Sequence, residues 1–145
     1  MRYLLDTHTL LWFLQGASQL PDAVAERIEA PQAETWISMA SVWEMAIKTG
    51  LGKLRVPYSL DKELPDLLEQ NGFAVLNFGF DHLAAVSQLP FHHRDPFDRL
   101  LVSQALVEGL KAFDGTLILV SHDRWFVGQL ATRILEIKPG EVRDY

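Results

Sequence analysis

The chain has 145 residues, about one domain's worth, of which 48% are apolar and 22% charged. A core of that size needs no covalent staple, and the lack of cysteine excludes a disulfide scaffold, a thiolate metal site and a cysteine nucleophile. Lys and Arg number 13 against 19 Asp and Glu, a formal charge of −6; this argues against coating nucleic acid by bulk electrostatics, but not against a nuclease site that is itself built from carboxylates.

The predicted elements alternate strand and helix. Residues 2–5 are a short apolar run, read as a buried strand. Residues 10–14 open a helix, and residues 23–30 form another. Residues 35–38, Thr-Trp-Ile-Ser, are β-rich; residues 39–49 read as a helix ended by Gly50. A helix over 60–71 stops at Gly72, a strand covers 73–76, and a helix over 80–88 precedes Pro90. Residues 96–110 form a long helix with a strong start signal, and 116–120, Thr-Leu-Ile-Leu-Val, are the clearest strand. Residues 124–132 read as helix and 134–137 as the last strand. Strands separated by helices require crossovers, so the expected fold class is α/β: a mainly parallel central sheet with helices on both faces. With no repeat, low-complexity tract or long linker, residues 1–145 are read as a single domain. The longest apolar runs, 10–14 and 117–120, fall far short of the ~20 residues that span a bilayer. Charges at Arg2 and Asp6 come too early for a secretory signal. The expectation is a cytoplasmic chain with no membrane partner.

Five acids occupy informative places. Asp6 directly follows the first strand, and Asp123 follows the strand at 116–120 and Ser121-His122. Ligands of open α/β sheets bind outside the carboxyl ends of the strands, but each acid is also a sound helix cap. In Asp95-Pro96-Phe97-Asp98, Asp95 suits an N-cap before a first-turn proline. Asp98 falls between Phe97, Leu101, Val102 and Ala105 on a helical wheel, in the apolar arc. A carboxylate aimed inward there needs a metal or a cation. Glu44 borders an apolar face and stands four residues before Lys48, the spacing of an ordinary surface ion pair.

Together these segments resemble a PIN-domain ribonuclease, in particular the VapC toxins of bacterial toxin–antitoxin pairs. The carrying stretches are Arg2-Tyr3-Leu4-Leu5-Asp6-Thr7-His8-Thr9-Leu10-Leu11-Trp12, Ser38-Met39-Ala40-Ser41-Val42-Trp43-Glu44-Met45-Ala46-Ile47-Lys48 and His92-His93-Arg94-Asp95-Pro96-Phe97-Asp98-Arg99-Leu100-Leu101. The resemblance covers residues 1 to about 110. It implies a PIN-like three-layer α/β/α sandwich. It also implies an acidic site of Asp6, Glu44 and Asp98, with Asp95 nearby and a fourth acid matched by Asp123. Thr7 and Ser121 would be auxiliary. A homodimer and a cognate antitoxin are implied as partners.

The last part of the chain departs from that family. Residues 105–145 resemble the end of an ABC-F type ATPase cassette, carried by Phe113-Asp114-Gly115-Thr116-Leu117-Ile118-Leu119-Val120-Ser121-His122-Asp123-Arg124-Trp125-Phe126. The chain has no Gly-x-x-x-x-Gly-Lys-[Ser/Thr] loop to cradle phosphates; the nearest fragment is Gly50-Leu51-Gly52-Lys53. ATP is therefore not expected as a ligand.

All-oxygen ligands suit Mg²⁺ or Mn²⁺, so the expected activity is metal-dependent hydrolysis of RNA, with Asp6, Glu44, Asp98 and Asp123 as catalytic and metal-binding residues. Lys48, Arg94 and Arg99 are candidate contacts to the RNA backbone. The alternative is a catalytically weakened PIN-like binding module whose altered C-terminus misplaces Asp123.

Overall fold

The computed structural model describes residues 2–89, 95–111, 118–121, 135–138 and 141–144, with side chains described over 2–89 and 95–109. Arg94, Asp123 and the helix expected over 124–132 lie outside the described residues. The elements run β1 (Arg2–Leu5), α1 (Thr7–Gln15), α2 (Asp22–Glu29), β2 (Glu34–Ser38), α3 (Met39–Gly50), α4 (Glu63–Gln70), β3 (Ala74–Leu76), α5 (Phe80–Gln88), α6 (Pro96–Lys111), β4 (Ile118–Ser121), β5 (Leu135–Lys138) and β6 (Glu141–Asp144).

The strands form one sheet in the order β3-β2-β1-β4-β5-β6. Every pairing is parallel except β5 with β6. The architecture is the expected α/β sandwich. Strand β6 is an addition to the expected elements. Its Glu-Val-Arg-Asp sequence lacks an apolar run, and it pairs back on β5 beyond a Pro-Gly dipeptide, a turn signal.

Side chains alternate across the strands and feed two cores. Tyr3, Leu5 and Ile37 join Leu10, Val24, Met45 and Leu64 on one face. Leu4 packs with Leu101, Val102 and Ala105 of α6 on the other, with Trp36 and Leu76 beside them. Burying a Leu in such a layer contributes about 1.5–3 kcal/mol.

Chain order reverses between β1 and β4: the crossovers from β1 run through β2 to β3 on one side, and β4 begins the other side. Such a switch point leaves a crevice at the carboxyl ends of the strands. The register aligns those ends, since Leu5 pairs with both Ile37 and Val120. Asp6, Ser38 and Ser121 each follow one of these three matched residues, so all three stand at the same edge of the sheet.

Candidate functional site

Asp6 is placed by β1 and held by α1. It is 2% exposed, and its Oδ1 accepts the backbone N–H of Thr9 at 2.8 Å, capping the helix. Capping explains the backbone contact. It does not by itself explain why the acid is placed at the switch point.

Glu44 reaches the same edge from α3, a helix that packs against both α1 and α6. It is 3% exposed. Thr7 Oγ1 donates to its Oε1 at 2.6 Å, and Lys48 Nζ lies 2.5 Å from its Oε2. The i, i+4 pair read from the sequence is present, but on the buried side of the helix. A carboxylate taken out of water needs a counter-charge, and Lys48 provides one. Lys48 is thus tied to Glu44, while a third of its own side chain stays exposed.

Asp98 lies in the first turn of α6 and is half-buried. Its neighbour Phe97 meets Trp43, the residue before Glu44, edge to face with ring centroids 5.1 Å apart. That contact ties the start of α6 to the helix carrying Glu44. Asp95 caps α6 as its Asp-Pro context predicts: Oδ1 accepts from Phe97 N at 2.9 Å and Asp98 N at 3.2 Å. Behind the edge, Ser38 Oγ donates to Gln104 Oε1 at 2.6 Å. Among the described residues, Gln104 Nε2 and Ser41 Oγ are buried there without a hydrogen-bond partner.

Arg99 is buried, and its Nη2 donates to the carbonyls of Val86 and Leu89 at 3.0 and 3.3 Å. The guanidinium holds the end of α5 against α6. The Gly50-Leu51-Gly52-Lys53 fragment is the closing turn of α3: Gly52 has φ +71°, and Lys53 N donates back to Lys48 O at 2.8 Å. It is not a phosphate cradle.

Three donors that the sequence did not single out come together elsewhere. Among the described residues, Asp81, His82 and Glu108 offer ligand atoms within 4.8 Å of one another, a set that could hold a divalent metal. His82 is buried; its Nδ1 accepts the Gly79 N–H at 2.9 Å, and its Nε2 lies 2.8 Å from Glu108 Oε1. With Nδ1 accepting, a neutral ring carries its proton on Nε2 and donates it to Glu108. A metal on either nitrogen must displace one of these bonds. Glu108 is ten residues from Asp98, about 15 Å along α6 at 1.5 Å per residue. The available sequence signal was only an Asp-His pair opening a helix.

Comparisons with known proteins fit this picture at the level of fold. The PIN domain family model matches residues 3–127. A VapBC2 structure from Rickettsia felis, bound to a DNA fragment from their promoter, superposes with a TM-score of 0.65 at 16% identity. It covers 95% of this chain and 100% of that one. The PIN domain endonuclease Utp24 superposes with a TM-score of 0.53 at 13% identity, over 99% of this chain and 90% of that one. No described helix is long and apolar enough to cross a membrane.

The C-terminal stretch is similar to other proteins. It is 57% identical over 42 residues to the probable ATP-binding protein YbiT of Escherichia coli O157:H7, which is 29% of this chain and 8% of that protein. It is 36% identical over 56 residues to the putative ATP-binding protein YdiF of Bacillus subtilis strain 168, or 39% of this chain and 8% of that protein. The chain thus spans under a tenth of the length of these curated relatives. These matches correct the expectation about partners that set ATP aside. A missing phosphate loop speaks only to the P-loop kind of nucleotide site; it does not bear on a segment that corresponds to another part of an ATP-binding protein. With the family model covering residues 3–127 and the sheet, crossovers and switch point all in place, the chain belongs to the PIN domain family.

Proposed function

We propose that this chain is a PIN-fold, RNA-binding module whose metal-dependent nuclease site is weakened. The observation that carries the reading is the C-terminal stretch: the segment expected to bring Ser121 and Asp123 to the site is the one similar to ABC-F proteins. A second support is Lys48, which already neutralises the buried carboxylate of Glu44 and so lowers the drive to take up a metal ion.

The donor chemistry of the carboxyl edge still fits a hard divalent cation. Asp6 and Glu44 are buried carboxylates beside a threonine hydroxyl, with no thiolate in the chain. Asp6, Glu44 and Asp98 would hold Mg²⁺ or Mn²⁺ directly or through water. When bound, such an ion supplies an activated water and charge stabilisation at a phosphodiester. The chain's own part is to fix the acids. The Asp6 cap locks one carboxylate to α1, Thr7 aims Glu44 across from α3, and Trp43 against Phe97 sets the start of α6.

A second reading, an active ribonuclease of the VapC kind, is favoured by one observation: the family model extends past Asp123, to residue 127. RNA cleavage in Mn²⁺ by the wild type and by Asp6→Asn separates the two, alongside RNA retention measured in EDTA. The weakened module retains RNA and cleaves it little faster than Asp6→Asn does. Robust cleavage that vanishes in Asp6→Asn assigns the active enzyme instead. An absence of both RNA retention and Asp6-dependent cleavage overturns both.

A further inference from the structure

A cleft of about 320 Å³ opens beside Glu44, between α1 and the closing turn of α3. Its lining includes Thr7, His8, Trp12, Gln15, Lys48 and Lys53. Thr7 and Lys48 are the two groups that bond Glu44, so the cleft adjoins the acidic edge. His8 and Trp12 stand one helical turn apart, with ring centroids 5.9 Å apart. Lys53 is exposed, delivered by the Gly52 turn to the cleft that Lys48 also lines. In a chain of net charge −6, the described lining holds two lysines and no carboxylate.

From this we infer that the cleft is a subsite for one unstacked nucleotide of single-stranded RNA, next to the acidic edge. The inference deepens the proposed RNA-binding function and rests on it. Aromatic faces stack on any base, and lysines neutralise the flanking phosphates. The volume is at the low end for small-ligand pockets, suited to a single nucleotide. Lys48 is already paired with Glu44, so it is Lys53 that brings an added positive charge to the cleft of this acidic protein. Trp12 supplies the stacking face and Lys53 the outer phosphate contact, while Lys48 answers to Glu44 and the cleft at once.

The test is fluorescence anisotropy with a labelled RNA hexamer in EDTA, which keeps binding separate from any cleavage. Trp12→Ala and Lys53→Ala are each expected to weaken the dissociation constant at least about fivefold. Trp12→Phe, which keeps an aromatic face, should recover most of the loss. Lys53 is exposed, so Lys53→Ala stays informative if Trp12→Ala fails to fold; thermal melts check both. Dissociation constants within twofold of the wild type for Lys53→Ala and for every folded Trp12 variant would overturn the subsite, leaving RNA binding elsewhere intact. A free mononucleotide that competes as well as the hexamer would also overturn it, as a site for a small molecule. No binding by the wild type would overturn the subsite together with the function it rests on.

Discussion

Among the described residues, two groups of ionisable side chains differ in burial and in what they do: around His82 only the histidine is buried, whereas Asp6 and Glu44 are both buried. Asp81, His82 and Glu108 lie within mutual reach, yet each His82 nitrogen is already used, one by the Gly79 N–H and one by Glu108. Among the described residues Asp6 and Glu44 have no third ligand grouped with them in this way, yet they occupy the switch point of a parallel sheet, where α/β proteins bind ligands. Donor proximity alone is a poor guide. A satisfied histidine can join two helices; Asp6 and Glu44 also have local partners, in the α1 cap and in Lys48, but separate elements bring them to one strand edge. The difference between the two groups can be broken or sharpened by substitution.

The largest expected effect is at Lys48. Lys48→Met removes the counter-charge from a buried carboxylate, a change that costs about 3–5 kcal/mol when both partners are buried. A third of the Lys48 side chain is exposed, so a loss of about 2 kcal/mol in chemical denaturation is expected. An unchanged midpoint would mean that Glu44 is neutralised by another group.

Next is the second group. His82→Ala strands the Gly79 N–H and Glu108 and should cost about 1–3 kcal/mol, with RNA affinity unaltered. A drop in RNA affinity at constant stability would move the functional site to α5 and α6. At Asp6 two substitutions separate capping from charge. Asp6→Ala should lose about 1 kcal/mol of stability, whereas Asp6→Asn, also a good cap, should lose little. Equal losses would show that the charge, not the cap, stabilises the fold.

The smallest effect is at Tyr58, whose hydroxyl is buried with no hydrogen-bond partner among the described residues. Burial raises its pKa above the ordinary value of 10.0. The unfolded chain therefore ionises first as pH climbs past 10, and stability falls there. Tyr58→Phe should change neutral-pH stability by less than about 0.5 kcal/mol and should flatten that alkaline decline. An unchanged alkaline slope would assign the decline to other groups.

What could be read from the sequence was local. The apolar run of β1 put Asp6 at a strand end, Asp95-Pro96 marked the start of α6, and the spacing of Glu44 and Lys48 foretold their pairing. What could not be read joins distant residues: Thr7 to Glu44, His82 to Glu108, and Ser38 to Gln104, which are 37, 26 and 66 positions apart. No periodicity carries such contacts; only the packing of whole helices against the sheet brings them together. The contacts of Arg99 belong to the same class, since its guanidinium meets two carbonyls at the end of α5, 13 and 10 positions away.

In the proposed function the metal-competent acids are those at the β1 edge, with Lys48 standing in for the cation. Thermal melting of Lys48→Met with and without Mn²⁺ tests it most directly, compared with the wild type and the Lys48→Met/Asp6→Asn double variant. A ligand that binds only the folded state raises the melting temperature. Mn²⁺ should raise that of Lys48→Met more than that of the wild type, and the extra shift should disappear in the double variant. An equal shift in single and double variants, or one that disappears only when His82 is replaced, would contradict the account.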